Sequence, residues 1–168
     1  DFAVLEGPDS SNVHSLSAAD PDNDGDLDIY AAHYSPNSDQ GTLSARPKPY
    51  HDARNGGINS FWRNDGHRKW VDATKEIGLG QGNSRFSFSA TWEDFDQDGD
   101  LDLFVANDYG PNNVYRNENG KFSEVAAEIG MEGSAASMGL TFADYDLDGD
   151  TDLYVSNMFS SAGQRITQ

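Results

Sequence analysis

The sequence has no cysteine, and only 11 of its 168 residues are lysine or arginine. Without cysteine there is no disulfide framework and no thiolate metal site, although the compartment stays open. No run of 18 apolar residues occurs, so no membrane span is expected. The 11 basic residues face 29 acidic ones, leaving a formal net charge of -18. Such a surface repels nucleic acid phosphates and anionic lipid, which removes both from the expected partners. An initiator methionine and an apolar signal region are also missing. A chain that opens at Asp1 in this way is expected of a processed protein or a piece cut from a longer one.

What is present is organised. Aromatic residues make up 11% of the chain and apolar residues come in short runs, which indicates a folded protein and not a solvated acidic tail. The acidity is local. Asp20–Asp28 reads DPDNDGDLD, Asp94–Asp102 reads DFDQDGDLD, and Asp144–Asp152 reads DYDLDGDTD, so 15 of the 29 acidic residues fall in three nine-residue windows.

The repeat extends beyond these windows. His14/Leu16/Ala18, Phe88/Ala90/Trp92 and Met138/Leu140/Phe142 precede the three loops with a period of two, which predicts a strand running into each. Short, nearly continuous apolar runs follow at Leu27–Ala32, Leu101–Ala106 and Asp152–Ser156, as expected of strands covered on both faces. Phe61–Asn64 corresponds to Val114–Asn117, and Lys69–Asp72 to Lys121–Glu124. Asp65-Gly66 and Asn119-Gly120 lie between them and predict tight hairpins. A shared tail, Glu76–Leu79 and Glu128–Met131, closes the unit.

Each unit therefore reads as four short antiparallel strands with an aspartate loop between the first two. The expected fold is all-β, made of β-propeller blades: two full blades and part of a third, a segment of a larger ring. The expected layout is a closing strand of a preceding blade within 1–11 (Phe2 to Leu5), a blade at 12–83 with a long surface insertion at 33–57, a blade at 84–133, and an incomplete blade at 134–168.

The loop chemistry points to calcium, a hard cation that takes 6–8 oxygen ligands in flexible geometry. Asp at positions one, three, five and nine offers side-chain oxygens. Glycine at position six permits the sharp turn that aims the position-seven carbonyl inward. The side-chain ligands expected are Asp20, Asp22, Asp24 and Asp28 in the first loop, Asp94, Asp96, Asp98 and Asp102 in the second, and Asp144, Asp146, Asp148 and Asp152 in the third. Asp26, Asp100 and Asp150 are expected to contribute backbone carbonyls. Four carboxylates suit calcium better than magnesium, which keeps more of its water, and no histidine falls inside the loops to suit zinc or copper. An EF-hand is excluded: position 12 holds Ala31, Val105 and Val155 where that motif needs a glutamate, and the flanks alternate like strands.

The loops with their flanks, DxDxDGDLDLFVAN over Asp94–Asn107 followed by NVYRN at Asn113–Asn117 and Gly120-Lys-Phe122, resemble the FG-GAP/VCBS repeat family, the calcium-binding propeller blades also seen in integrin α-chains. The Phe-Gly and Gly-Ala-Pro residues behind the family's name are not evident, so the likeness is to the bacterial VCBS type. Residues 154–165 further resemble the cartilage-acidic-protein (ASPIC/UnbV) group. The resemblance implies a secreted, periplasmic or cell-surface propeller, with one Ca2+ per loop, whose work is adhesion or binding of a protein or glycan. It also implies a second possibility, since some polysaccharide lyases and sugar dehydratases resemble the family. Candidates for acid–base chemistry are His14, His33, His51, His67, Tyr34, Tyr50 and Lys48. Only the insertion groups several of them, and there they read as a solvated loop. His14, Trp62, Trp92 and Tyr115 fall at repeat-equivalent apolar positions and are expected to pack, while Arg63 and Arg116 are expected to pair with nearby carboxylates. No nucleophile motif, phosphate loop or zinc signature occurs, so no catalytic residue is expected.

Overall fold

A computed structural model of the chain describes residues 13–36, 46–67, 69–133 and 136–158. These residues form ten strands and no helix, so none is long and apolar enough to cross a membrane. β1 (Val13–Ala19), β2 (Asp28–His33), β3 (Ser60–Asn64) and β4 (Trp70–Asp72) make one antiparallel sheet in chain order. β5 (Phe86–Glu93), β6 (Asp102–Asp108), β7 (Asn113–Asn117) and β8 (Phe122–Glu124) repeat it. β9 (Ser137–Ala143) and β10 (Asp152–Asn157) pair as the first two strands of a third sheet. This is an all-β segment of two propeller blades and the start of another. The strand expected at Phe2 to Leu5, residues 37–45 of the insertion, and the chain from 159 onward lie outside the described residues.

The sheets stack face to face, with β5 against β1 and β2, and β9 against β5 and β6. The period of two explains how a single strand serves both sides. In β6, Leu103 and Val105 face the first blade while Phe104 faces the third, and all three are buried. The first interface joins Tyr30, Phe61, Ile77 and Leu79 to Leu103, Val105, Tyr115 and Phe122. Trp92 fills its centre, edge-on to Tyr30 at 6.4 Å and to Phe61 at 6.2 Å between ring centroids. The second interface joins Phe104, Val114 and Val125 to Leu140, Phe142 and Leu153, with Phe104 and Phe142 4.7 Å apart. Full burial of each large apolar side chain contributes about 1.5–3 kcal/mol, so the inter-blade faces hold the stack together.

Both ends of the stack keep the same pattern without a neighbour among the described residues. Leu16, at the place of Ala90 and Leu140, is 65% exposed, and Tyr154, at the place of Tyr30 and Phe104, is 69% exposed. Trp62, expected in the core, is only half-buried. Its counterpart Tyr115 is covered by the preceding blade, where its hydroxyl donates to the carbonyl of Gln81 at 2.7 Å. His14 is likewise exposed, although its ring stacks on Tyr34 at 4.8 Å and Phe88 at 5.0 Å.

The hairpin at Asn119-Gly120 has positive φ at both residues, as a two-residue turn requires. The other hairpin differs from expectation. One extra residue lies between β3 and β4, and the positive φ values move to Gly66 and His67. The insertion also needs correction. His33, expected at its head, ends β2 opposite Val13 and is buried. Of the described residues, 46–57 form a surface loop tied to the second blade. Ala53 donates its amide to the carbonyl of Tyr109 at 2.8 Å, Gly56 donates to Ser84 at 2.8 Å, and Arg85 holds Asp52 at 2.7 Å. Gly56 sits so close to β5 that a Cβ there would lie 2.1 Å from the Arg85 carbonyl oxygen.

Candidate metal centre

The three aspartate loops join β1 to β2, β5 to β6 and β9 to β10, and they share one conformation. Position four has φ 57° at Asn23, 60° at Gln97 and 63° at Leu147, and the position-six glycines have φ 92°, 96° and 97°. Only glycine adopts the latter region without strain. Position one closes each loop by accepting from the amides of positions five and six: Asp20 from Asp24 (3.1 Å) and Gly25 (3.0 Å), Asp94 from Asp98 (3.1 Å) and Gly99 (3.0 Å), Asp144 from Asp148 (3.1 Å) and Gly149 (3.1 Å). Position five accepts from the amide of position seven at 2.9, 2.9 and 3.0 Å in Asp24, Asp98 and Asp148.

This folding gathers carboxylates. One oxygen each from Asp20, Asp22 and Asp24 lie within 4.8 Å of one another, as do oxygens from Asp94, Asp96 and Asp102, and from Asp144, Asp146 and Asp152. The side chains at position seven turn elsewhere. Asp100 accepts from Asn23 and from the amide of Asn119, and Asp150 accepts from Gln97.

Position nine is the most enclosed. Asp28 is 1% exposed and Asp102 fully buried. Asp28 accepts from the Asn64 amide at 2.8 Å through Oδ1, while its buried Oδ2 has no hydrogen-bond partner. Asp102 accepts from Asn117 at 2.7 Å and Phe95 at 3.2 Å. Burial pushes both carboxyls up to about 6 against these bonds, with the neighbouring loop carboxylates adding to the shift. Burial and then Asp24 also raise Asp22. Buried anions with an orphan oxygen, among further carboxylates, fit a divalent cation and its oxygen-only shell.

Several residues of this arrangement were not singled out as functional from the sequence. Asn64 and Asn117 hold position nine by their amides, and the Asn117 side chain also reaches the carbonyls of Leu101 (3.1 Å) and, across the blade interface, Pro21 (2.8 Å). Their recurrence at the end of the third strand of each blade, just before the hairpin, was the available signal. The expected arginine pairs share one partner position, Glu76 for Arg63 (3.4 Å) and Glu128 for Arg116 (4.0 Å), while Arg63 also binds Asp65 and Arg116 lies 3.4 Å from the loop residue Asp96.

Residues 94–155 match the FG-GAP-like repeat. The match thus runs from the second loop through β6, β7, β8, β9 and the third loop into β10. The first loop, outside the matched residues, has the same positive φ values and internal bonds as the second and third. No curated protein matches the chain.

The candidates for acid–base chemistry are spread out. His67 lies in the β3–β4 turn on the aspartate-loop side, while His14 and His33 lie at the opposite ends of their strands. Lys48, Tyr50 and His51 are exposed on the insertion. Tyr34 holds a carboxylate closely: its hydroxyl donates to Asp108 at 2.6 Å. Asp108 is 2% exposed, and burial raises its carboxyl.

Proposed function

We propose that this chain is a calcium-binding stretch of an extracellular β-propeller of the VCBS type, in which one ion per loop stiffens the scaffold and the assembled ring binds a protein or glycan partner. The observation that carries the reading is the repeated carboxylate cluster, together with the buried, partnerless Oδ2 of Asp28 at the end of the first loop. Calcium supplies the positive charge that these oxygens otherwise lack, and millimolar extracellular calcium suffices to fill sites of this kind. The residues that would hold it are the fifteen aspartates named above, with positions one, three, five and nine binding through side chains and position seven through its carbonyl.

The apolar ends around Leu16 and Tyr154 suit further blades of the same ring. Recognition then belongs to the side of the blades away from the aspartate loops, where the insertion is docked and Tyr50 packs on Tyr109 at 4.8 Å between centroids. The role is non-catalytic: the acid–base pair Tyr34 and Asp108 is tied together, with its carboxylate out of solvent. Equilibrium dialysis against calcium tests the metal assignment and should find three ions per chain; none bound would sink it. A glycan-array and pull-down screen with calcium present tests the binding role. Turnover of an acidic polysaccharide, lost on Tyr50→Phe or His51→Ala, would replace that role with an enzymatic one.

A further inference from the structure

The aspartate loops touch one another through a repeated link. Asn23 at position four of the first loop donates its side-chain amide to Oδ1 of Asp100, position seven of the second, at 3.3 Å. Gln97, position four of the second loop, donates in the same way to Oδ1 of Asp150, position seven of the third, at 3.1 Å. Both position-four residues have positive φ, 57° at Asn23 and 60° at Gln97. The residue that accepts is the one whose backbone amide is tied to the position-five carboxylate. Loops one and two share a second contact, since Asn117 reaches the Pro21 carbonyl with its side chain and Asp102 with its amide.

From this we infer that the three loops respond to calcium as one row, in which filling one loop raises the affinity of the next; the inference rests on the calcium reading above. Wrapping a loop around a cation fixes its backbone, and a neighbour tied to a fixed loop has less freedom left to lose. The coupling is reciprocal, so the later loop favours the earlier one equally. Direct repulsion between ions opposes this. Apart from position nine, buried at Asp28 and Asp102, most loop residues are exposed, however, and salt at physiological strength screens exposed charges over about 8 Å. The hydrogen-bonded links are not screened in that way, and so they set the sign.

Leu147 takes position four of the third loop with φ 63°, showing that leucine is accommodated there, and it is 85% exposed. Gln97→Leu therefore removes the amide donor without a foreign backbone demand. The amide resonances of Gly25, Gly99 and Gly149 report the three loops separately, because each donates to position one of its own loop. In a calcium titration of the wild-type chain at physiological salt, all three should move over one steep range. In Gln97→Leu, the Gly149 midpoint should rise about three- to tenfold and its transition should broaden, while Gly25 stays within about twofold. Leu147→Gln, with no linked loop beyond it among the described residues, should leave all three unchanged. An identical Gly149 titration in wild type and Gln97→Leu would overturn the coupling and leave calcium binding standing. Glycine amides that ignore calcium altogether would overturn both.

Discussion

At the scale of residues, the loops combine a permissive backbone with crowded charge. Gly99 has φ 96°, and a methyl group added there would meet nothing within 4 Å, so Gly99→Ala meets backbone strain and no clash. Its cost should be about 1–2 kcal/mol, read by urea unfolding in chelator. Asp52 is a different case, because its bond to the Arg85 guanidinium holds its carboxyl below the usual range. A carboxyl lowered in the folded state contributes stability that is present above its unfolded value of 3.8 and lost as pH falls through the folded one. Docking of residues 46–57 should therefore be constant from about pH 5 to 8 and loosen below about pH 4. Hydrogen exchange at the amides of Ala53 and Gly56 reads this directly, and an unchanged rate in acid would contradict it.

At the scale of elements, equivalent positions have unequal surroundings, and this yields paired predictions. A Cβ on Gly78 would lie 2.1 Å from the carbonyl oxygen of Phe122, at φ 98°, whereas one on Gly130 meets nothing within 4 Å, at φ 73°. Gly78→Ala should destabilise the chain by more than about 3 kcal/mol, and Gly130→Ala by only about 1–2 kcal/mol. Leu16→Ala should stay within about 0.5 kcal/mol, while Leu140→Ala, packed under Phe104, should cost about 1–2 kcal/mol. Equal costs within either pair would contradict the blade register.

The same scale shows what the sequence made legible. Strand order, the loops and the Asn119-Gly120 turn were readable because each follows from local spacing and residue type. The docking of the insertion was not, since it depends on backbone contacts of Gly56 and Ala53 with partners far along the chain, which leave no periodic trace. Trp62 was misread for a similar reason: its repeat position predicts which way it points, but burial depends on the blade in front of it. In the aspartate loops, the ligand-type positions stood out by spacing, whereas the amides of Asn23 and Gln97 became meaningful only once the next blade was beside them.

For the whole molecule, charge is the organising term. Three bound ions would change the formal charge from -18 to -12, and the relief would fall where carboxylates are densest. In chelator, added sodium chloride should raise the melting temperature by screening the same repulsion, and that salt effect should shrink once calcium is present. A loop filled at a hundred times its Kd gains about 2.7 kcal/mol. For a chain of this length each kcal/mol is worth about 2–4 °C. The most direct measurement is therefore the melting temperature in excess chelator against millimolar calcium. A rise on the order of 10 °C or more is predicted, and an unchanged melting temperature would contradict calcium as the structural ion of these loops.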